Sequence, residues 1–306
     1  MTSGFLRFLA RRLAAATLFV LVVSVAALTL AHVAPGDAFT SREIAGDDPE
    51  LLAAARSYYG LDRSLPEQVR AWLAGVLRFD LGLSTRFNRP VAGLVTERAW
   101  NTARLAALAL LVATALGVPL GVMTGARPRG WLARAVAPVS IALVSCPPLV
   151  GALALLLVAA RTQWLSIAQG AYAVPTLALA LPVAAMLERL QSQAITEAMQ
   201  APDIVAAAAR GMTMRRLIWR HAGRQSLRPV LGIYGLVIGG LFSGSLAVEF
   251  VTSWPGLGRL MLDALVSRDL FLVTGCALAG ALLVAAGNLV ADVLRGAVDP
   301  RVRGAS

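Results

Sequence analysis

Six stretches of the chain run for about 20 residues or more without an aspartate, glutamate, lysine or arginine: Leu13–Gly36, Leu105–Ala126, Ala135–Ala160, Thr162–Leu187, Pro229–Val248 and Leu270–Ala291. A helix rises about 1.5 Å per residue, so each stretch is long enough to cross the ~30 Å hydrocarbon core of a bilayer. The pattern predicts an all-α polytopic membrane protein with six transmembrane helices. Arg7, Arg11 and Arg12 precede the first stretch as they would in a signal peptide. Its uncharged run, however, is longer than the roughly 7–15 residues of a signal core, so it reads as a retained span.

The intervening segments divide the chain further. Residues 1–36 form an N-terminal tail and first helix, 37–104 a long polar segment, and 105–303 a five-helix core that carries a basic loop at about 188–228. Arginine placement sets the orientation. With the N-terminus inside, sixteen arginines fall on cytosolic segments, against Arg161, Arg259 and Arg268 on the two short external loops. The positive-inside rule therefore puts both termini in the cytosol and 37–104 outside, where a long loop crosses regardless of its own charge.

Composition then removes whole classes of function. The chain has 306 residues, is 58% hydrophobic with mean hydropathy +0.70, and carries a net charge of +11. All 28 of its basic residues are arginine, so there is no phosphate-binding P-loop lysine and no Schiff-base lysine. The expectation is a non-enzymatic chain that binds no cofactor of its own. Cys146 and Cys276 both lie in apolar runs and read as buried thiols rather than a disulfide or ligand pair.

Within the spans, Pro119, Pro138, Pro147, Pro148, Pro175 and Pro182 are tolerated where neighbouring helices satisfy the freed carbonyls. Gly117, Gly121, Gly125 and Gly151 allow close helix approach. The run Ser145-Cys146-Pro147-Pro148 stands apart. A helix broken there exposes carbonyls, which makes Ser145, Pro147 and Pro148 candidates for lining a solute path.

The basic loop is the most structured segment between spans. Ala206 to Ala209 favour a short helix, and Gly211 supplies the positive φ that closes it. Thr213 is placed to cap a second helix on which Arg216, Arg220, Arg224 and Arg228 recur every four residues as a stripe, ending at Pro229. Taken alone, such a loop is also what the positive-inside rule produces without any docking role.

The residues of this loop resemble a known pattern. Ala206-Ala207, three residues, then Gly211 is similar to the A-A-x-x-x-G core of the EAA loop in membrane subunits of bacterial ABC importers, with Val205 where the glutamate would stand. Arg215-Arg216, Arg220-His221-Ala222, Arg224 and Pro229 resemble the RR…RHAxR…P string of the dipeptide/oligopeptide branch. Ser192 and Pro202 depart from it. Outside the loop, His32-Val33-Ala34-Pro35-Gly36-Asp37, Gly60-Leu61-Asp62, Leu65-Pro66-Glu67-Gln68 and Asp80-Leu81-Gly82 resemble strings of the same branch, with Ala38 replacing its second proline. Ser253-Trp254-Pro255-Gly256-Leu257-Gly258-Arg259-Leu260 after Glu249, and Asn288, Asp292 and Asp299-Pro300-Arg301, continue the resemblance. Trp254 is at the same time an ordinary interface aromatic, and Asp292 is spaced to pair with Arg295.

The resemblance implies a type I-like ABC importer permease of the bacterial cytoplasmic (inner) membrane. ATP and Mg would be bound by two ATPase subunits, with a second homologous permease subunit, an external solute-binding protein and membrane lipid as the other partners, and no nucleic acid. It implies that Ala206, Ala207, Gly211, Met212, Arg215, Arg216 and Arg220 couple to the ATPase. Glu249, Trp254, Pro255 and Gly256 would lie on the external gate or binding-protein side. Members of the branch carry dipeptides, oligopeptides, glutathione or nickel. His32 and His221 are the only histidines, which gives no support to nickel ligation within this chain. An ion-coupled secondary transporter is the rival of another class. It would need mid-membrane ionisable residues and an inverted repeat, neither of which the sequence displays. A membrane enzyme would need a histidine–carboxylate cluster in the spans.

Overall fold

The computed structural model describes residues 3–163 and 171–298, without the side chains of 3–9, 41–42 and 294–298. Among them the regular elements are helices, with a single antiparallel bridge between Leu83 and Pro90. The chain divides into two compact units. One comprises Met1–Leu9, Arg104–Trp254 and Ala286–Ser306, the other Ala10–Ala103 and Pro255–Ala285.

The second unit holds most of α1 (Ser3–Val33), α2 (Thr40–Ile44), α3 (Pro49–Tyr59), α4 (Leu65–Val76), the start of α5 (Val91–Ala126), α13 (Leu257–Val266) and the start of α14 (Leu270–Val298). Local chemistry starts its short helices. The Asp48 carboxylate accepts from the Glu50 N–H ahead of α3, with Pro49 at the first helical position. Ser64 and Glu67 cap one another at the start of α4. A core of Leu28, Trp72, Val91, Leu257 and Leu272 gathers these elements. The fully buried Asp269 accepts hydrogen bonds from Ser84 Oγ (2.6 Å), the Arg86 N–H (3.2 Å) and the Leu272 N–H (3.1 Å). One carboxylate thus caps α14 and pins the 84–86 loop to it.

The first unit is built around α8 (Ala173–Met199), against which α6 (Trp131–Ser145), α7 (Pro148–Thr162), α11 (Gly223–Gly232) and α12 (Tyr234–Val251) all pack. Gly117, Gly121 and Gly125 of α5 recur every four residues. A Cβ at any of them would overlap α8 backbone at Ala184, Glu188 or Ser192. Small residues therefore let the two helices touch backbone to backbone, as expected; Gly151 makes no such approach. Outside these contacts α6 and α7 expose Ile141, Leu153 and Leu157, residues suited to lipid or to another apolar chain.

Among the described residues five helices are long and apolar enough to cross a membrane, and the number reaches six when the bent pair α6–α7 counts as one span. Several boundaries differ from the charge-free stretches. The third stretch is broken, with α6 and α7 meeting at 111°, because Pro147 and Pro148 each force the residue before them into an extended conformation. The second helix begins at Val91 rather than Leu105, so the last part of the 37–104 segment is already α5. The fourth helix does not stop at Leu187 but runs to Met199, so the cytosolic loop begins near 200 rather than 188. Glu188 explains that extension. It is 5% exposed, and its carboxylate accepts from Thr124 Oγ1 of α5 (2.7 Å) and Ser140 Oγ of α6 (2.8 Å), so an acid inside the bundle is hydrogen-bonded rather than a span terminator. Pro229 lies inside α11 instead of ending it, and the fifth span starts only at Tyr234 after a break at Ile233. Part of the fourth stretch, residues 164–170, and the Asp299-Pro300-Arg301 string lie outside the described residues.

Candidate coupling element and transport path

The basic loop folds as a compact element of the first unit. Its first helix, α9 (Pro202–Ala209), opens with proline at the first position, where an N–H would have no partner anyway. Ile204 and Ala207 point inward and join Val122, Ile195, Leu217 and Ala222 in a small separate core, with Met212 half-buried against it. Gly211 follows at φ +84°, the left-handed conformation expected of the glycine. A Cβ at Gly211 would meet no atom within 4 Å, so backbone conformation alone demands glycine there.

Thr213 stands at the N-cap with φ −64° and ψ 141°, but its side chain makes no capping hydrogen bond. The helix beyond is not the uniform α-helix that a four-residue stripe assumes. A short α10 (Met214–Arg216) passes into a π-helical turn, Leu217–Ala222, before α11. At the end of that turn the Gly223 N–H donates to the Ile218 carbonyl five residues back. The wider turn lets Leu217 and Ala222, five apart, both reach the small core. Arg215, Arg216, Arg220, Arg224 and Arg228 all remain exposed. Gln225 Nε2 donates to the Asp203 carboxylate at 2.6 Å and ties α11 back to α9, and Gln191 Nε2 of α8 donates to Ser226 Oγ of α11 at 2.6 Å.

The two named alanines have different surroundings. Ala207 is buried in the small core, whereas Ala206 is exposed beside Val205, Ala208 and Ala209. Val205 (54%), Met214 (54%) and Trp219 (51%) are large apolar side chains that this element also leaves exposed, and Trp219 lines a shallow surface hollow with Thr213, Arg215 and Arg216. Sequence reading singled out the basic stripe and missed Met214 and Trp219. An apolar residue flanked by arginines carries no signal until the fold shows that the small core leaves it outside.

The residues proposed for the external side are held inside their units. In the first unit, Glu249 is fully buried in α12, and Trp254 is 3% exposed with its ring edge-on to Tyr172 at 4.5 Å between centroids. Trp254 is therefore a packing residue here rather than a surface anchor. In the second unit, Asn101 Nδ2 donates to the Pro255 carbonyl (2.9 Å), and the Leu257 N–H donates to Thr102 Oγ1 (2.8 Å). These bonds fix the turn that contains Gly256 against the start of α5. Of the candidate path residues, Ser145 and Pro147 are exposed and Pro148 is half-buried, all at the break between α6 and α7. The proposed partner of Asp292, the side chain of Arg295, lies outside the described residues.

Comparison with known proteins bears on both units. The sequence profile described as "Binding-protein-dependent transport system inner membrane component" matches residues 117–304, and that of "Binding-prot-dependent transport system membrane comp, N-term" matches residues 5–105. The chain is 31% identical over 295 residues to the glutathione transport system permease protein GsiC of Escherichia coli O6:H1, covering 94% of this chain and 95% of that one. It is 30% identical over 306 residues to GsiC of Pectobacterium atrosepticum, covering 97% and 99%. A Brucella suis biovar 1 protein with a provisional peptide-permease name is 28% identical over 317 residues, again covering 97% and 99%. These matches run nearly end to end over a helical chain with five to six apolar spans. The chain therefore belongs to the family of inner-membrane components of binding-protein-dependent transport systems, the permease subunits of ABC importers.

Proposed function

We propose that this chain is one of two permease subunits of an importer that moves peptides, or a peptide-like solute such as glutathione, into the cell by alternating access. A second, homologous subunit completes the path, an external binding protein delivers the solute, and two ATPase subunits bind ATP and Mg. The chain itself carries out no chemistry. The observation that carries this reading is the coupling element. Large exposed hydrophobics on an otherwise basic cytosolic projection, Val205, Met214 and Trp219, mark a surface suited to a protein partner. The small core of the same element, which includes Ile195 of α8, and the Gln191–Ser226 bond tie the element to α8, the hub of the helices. Glutathione is favoured within the peptide class by the names of two near-full-length relatives.

The test is reconstitution of the chain with a second permease and the ATPase subunits in vesicles, followed by uptake of radiolabelled glutathione and trialanine. Uptake of at least one should require ATP. The chain purified alone should hydrolyse none. Trp219→Asp changes an exposed side chain, so the protein should insert normally while the ATPase subunits no longer co-purify. ATPase turnover by the isolated chain, or full uptake by Trp219→Asp, would overturn the proposal.

A further inference from the structure

Asn288 interrupts the apolar run of α14, and its exposed carboxamide makes no hydrogen bond among the described residues. It lines a groove of about 720 Å³ within the first unit, together with Cys146 and Pro148 at the helix break, Pro182 of α8, and Gly239 and Gly240 of α12. Among the described residues no charged side chain lines this groove. At Gly239 and Gly240 a Cβ would find nothing within 4 Å, so the α12 wall is bare backbone facing open space. Val144 also lines the groove, and Pro148, four residues on, has no N–H to offer its carbonyl. The groove thus combines apolar walls with an unpaired carboxamide and a carbonyl denied its usual helical donor, as small-molecule sites combine apolar walls with a few polar groups. Along α14, Asn288 lies about 27 Å from Leu270, which by the arginine orientation puts it toward the cytosolic side.

We propose that this groove is the inner half of the solute path and that Asn288 reads the backbone of the passing solute. A carboxamide offers one acceptor and two donors, the pattern that pairs with a peptide amide in either direction. An uncharged groove grips neither terminus of a peptide, so the neutral backbone is what it recognises. The proposal rests on the importer reading above and adds the chemistry of the cargo.

Two measurements test it on the assembled complex, in inside-out vesicles, with Cys276→Ala leaving Cys146 as the sole thiol of this chain. The first is the rate at which Cys146 reacts with a charged, water-soluble methanethiosulfonate, with and without ATP–vanadate trapping. It needs no transported solute. Reaction with the charged reagent, changed severalfold by trapping, is expected of a path wall. Reaction only with a membrane-soluble maleimide would mean that lipid covers the groove, and no reaction with either reagent would mean that another chain does; both overturn the proposal. The second measurement is uptake of trialanine and glutathione with ATP hydrolysis followed in parallel. Asn288→Ala should lower uptake about tenfold through loss of a hydrogen bond to the solute while hydrolysis continues, and Asn288→Gln should restore part of it. Equal uptake by Asn288→Ala and the parent overturns the role of Asn288. If the parent complex moves neither peptide, the peptide reading falls together with the amide role, and the labelling result still decides whether the groove is the path.

Discussion

At Gly211 the chain turns with φ +84° in open space, so the side chain that could stand there is limited by backbone strain and not by crowding. Gly211→Val should cost roughly 1–2 kcal/mol or more, paid where α9 meets the basic helix and far from the spans. Insertion should survive, while the reconstituted complex loses transport relative to ATP hydrolysis. Arg224 is exposed, and a solvent-facing charge is worth under about 1 kcal/mol, so Arg224→Ala should do less in the same pair of assays. Normal transport by Gly211→Val with loss of assembly in Arg224→Ala would transfer the docking role from the turn to the stripe. Glu188 makes the opposite case, where the partners decide. Glu188→Leu strands the hydroxyl of Ser140 inside the bundle and leaves that of Thr124 only its longer bond to the Gly121 carbonyl (3.3 Å), at about 1–3 kcal/mol, whereas Glu188→Gln keeps an acceptor for one of them. The Leu variant should therefore unfold at a lower temperature in detergent than the Gln variant. Equal losses would mean that the acid's charge, and not its hydrogen bonds, is what the site holds.

Among the elements, the body and end of α9 were legible, since its alanine run and its glycine end act within a few residues; its proline start was read only as a departure from the family string. The π turn after it was not. It exists because Leu217 and Ala222 both have to reach a core contributed by α5, α8 and α9, and no local propensity encodes that demand. The external helices are tied by a smaller device. Arg56 donates to Asp37 at 2.6 Å and to Glu43 at 2.6 Å, linking α3 to the start of α2. Burial works to raise the Asp37 pKa, but hydrogen bonds from Arg56, Thr40 and the Phe39 N–H, with the Arg56 charge, outweigh it and hold the carboxyl below its usual 3.8. A depressed folded value means that this stabilisation is complete above the unfolded pKa and is lost as the pH falls through the folded one. With its rate divided at each pH by that on an unfolded peptide, pepsin should accordingly cut the 37–60 segment faster at about pH 2.5 than at about pH 4.5, and Asp37→Asn should already be fast at the higher pH. An unchanged cutting rate across this interval in the parent protein would remove Asp37 from the latch.

For the whole molecule, orientation is the prediction that matters most, because every functional assignment depends on which face is cytosolic. Single cysteines at the exposed positions Ala54 and Ala208, in a background lacking Cys146 and Cys276, should divide cleanly in intact cells. An impermeant thiol reagent should label the first and spare the second; the reverse pattern would invert the arginine argument. What the sequence by itself determined was the membrane class, the number of apolar runs, the turn at Gly211 and the family, since hydropathy, charge bias, glycine geometry and ordered motifs are all local properties of the chain. What only the tertiary structure decided was where helices really end and which side chains are free. Glu188 does not end α8, because hydroxyls from two other helices satisfy it. Trp254 is packed under Tyr172, and Asn288 stands unpaired among the described residues in a groove walled by four other helices. In each of these the cost or gain depends on a neighbour distant in sequence, which no reading of one segment can supply.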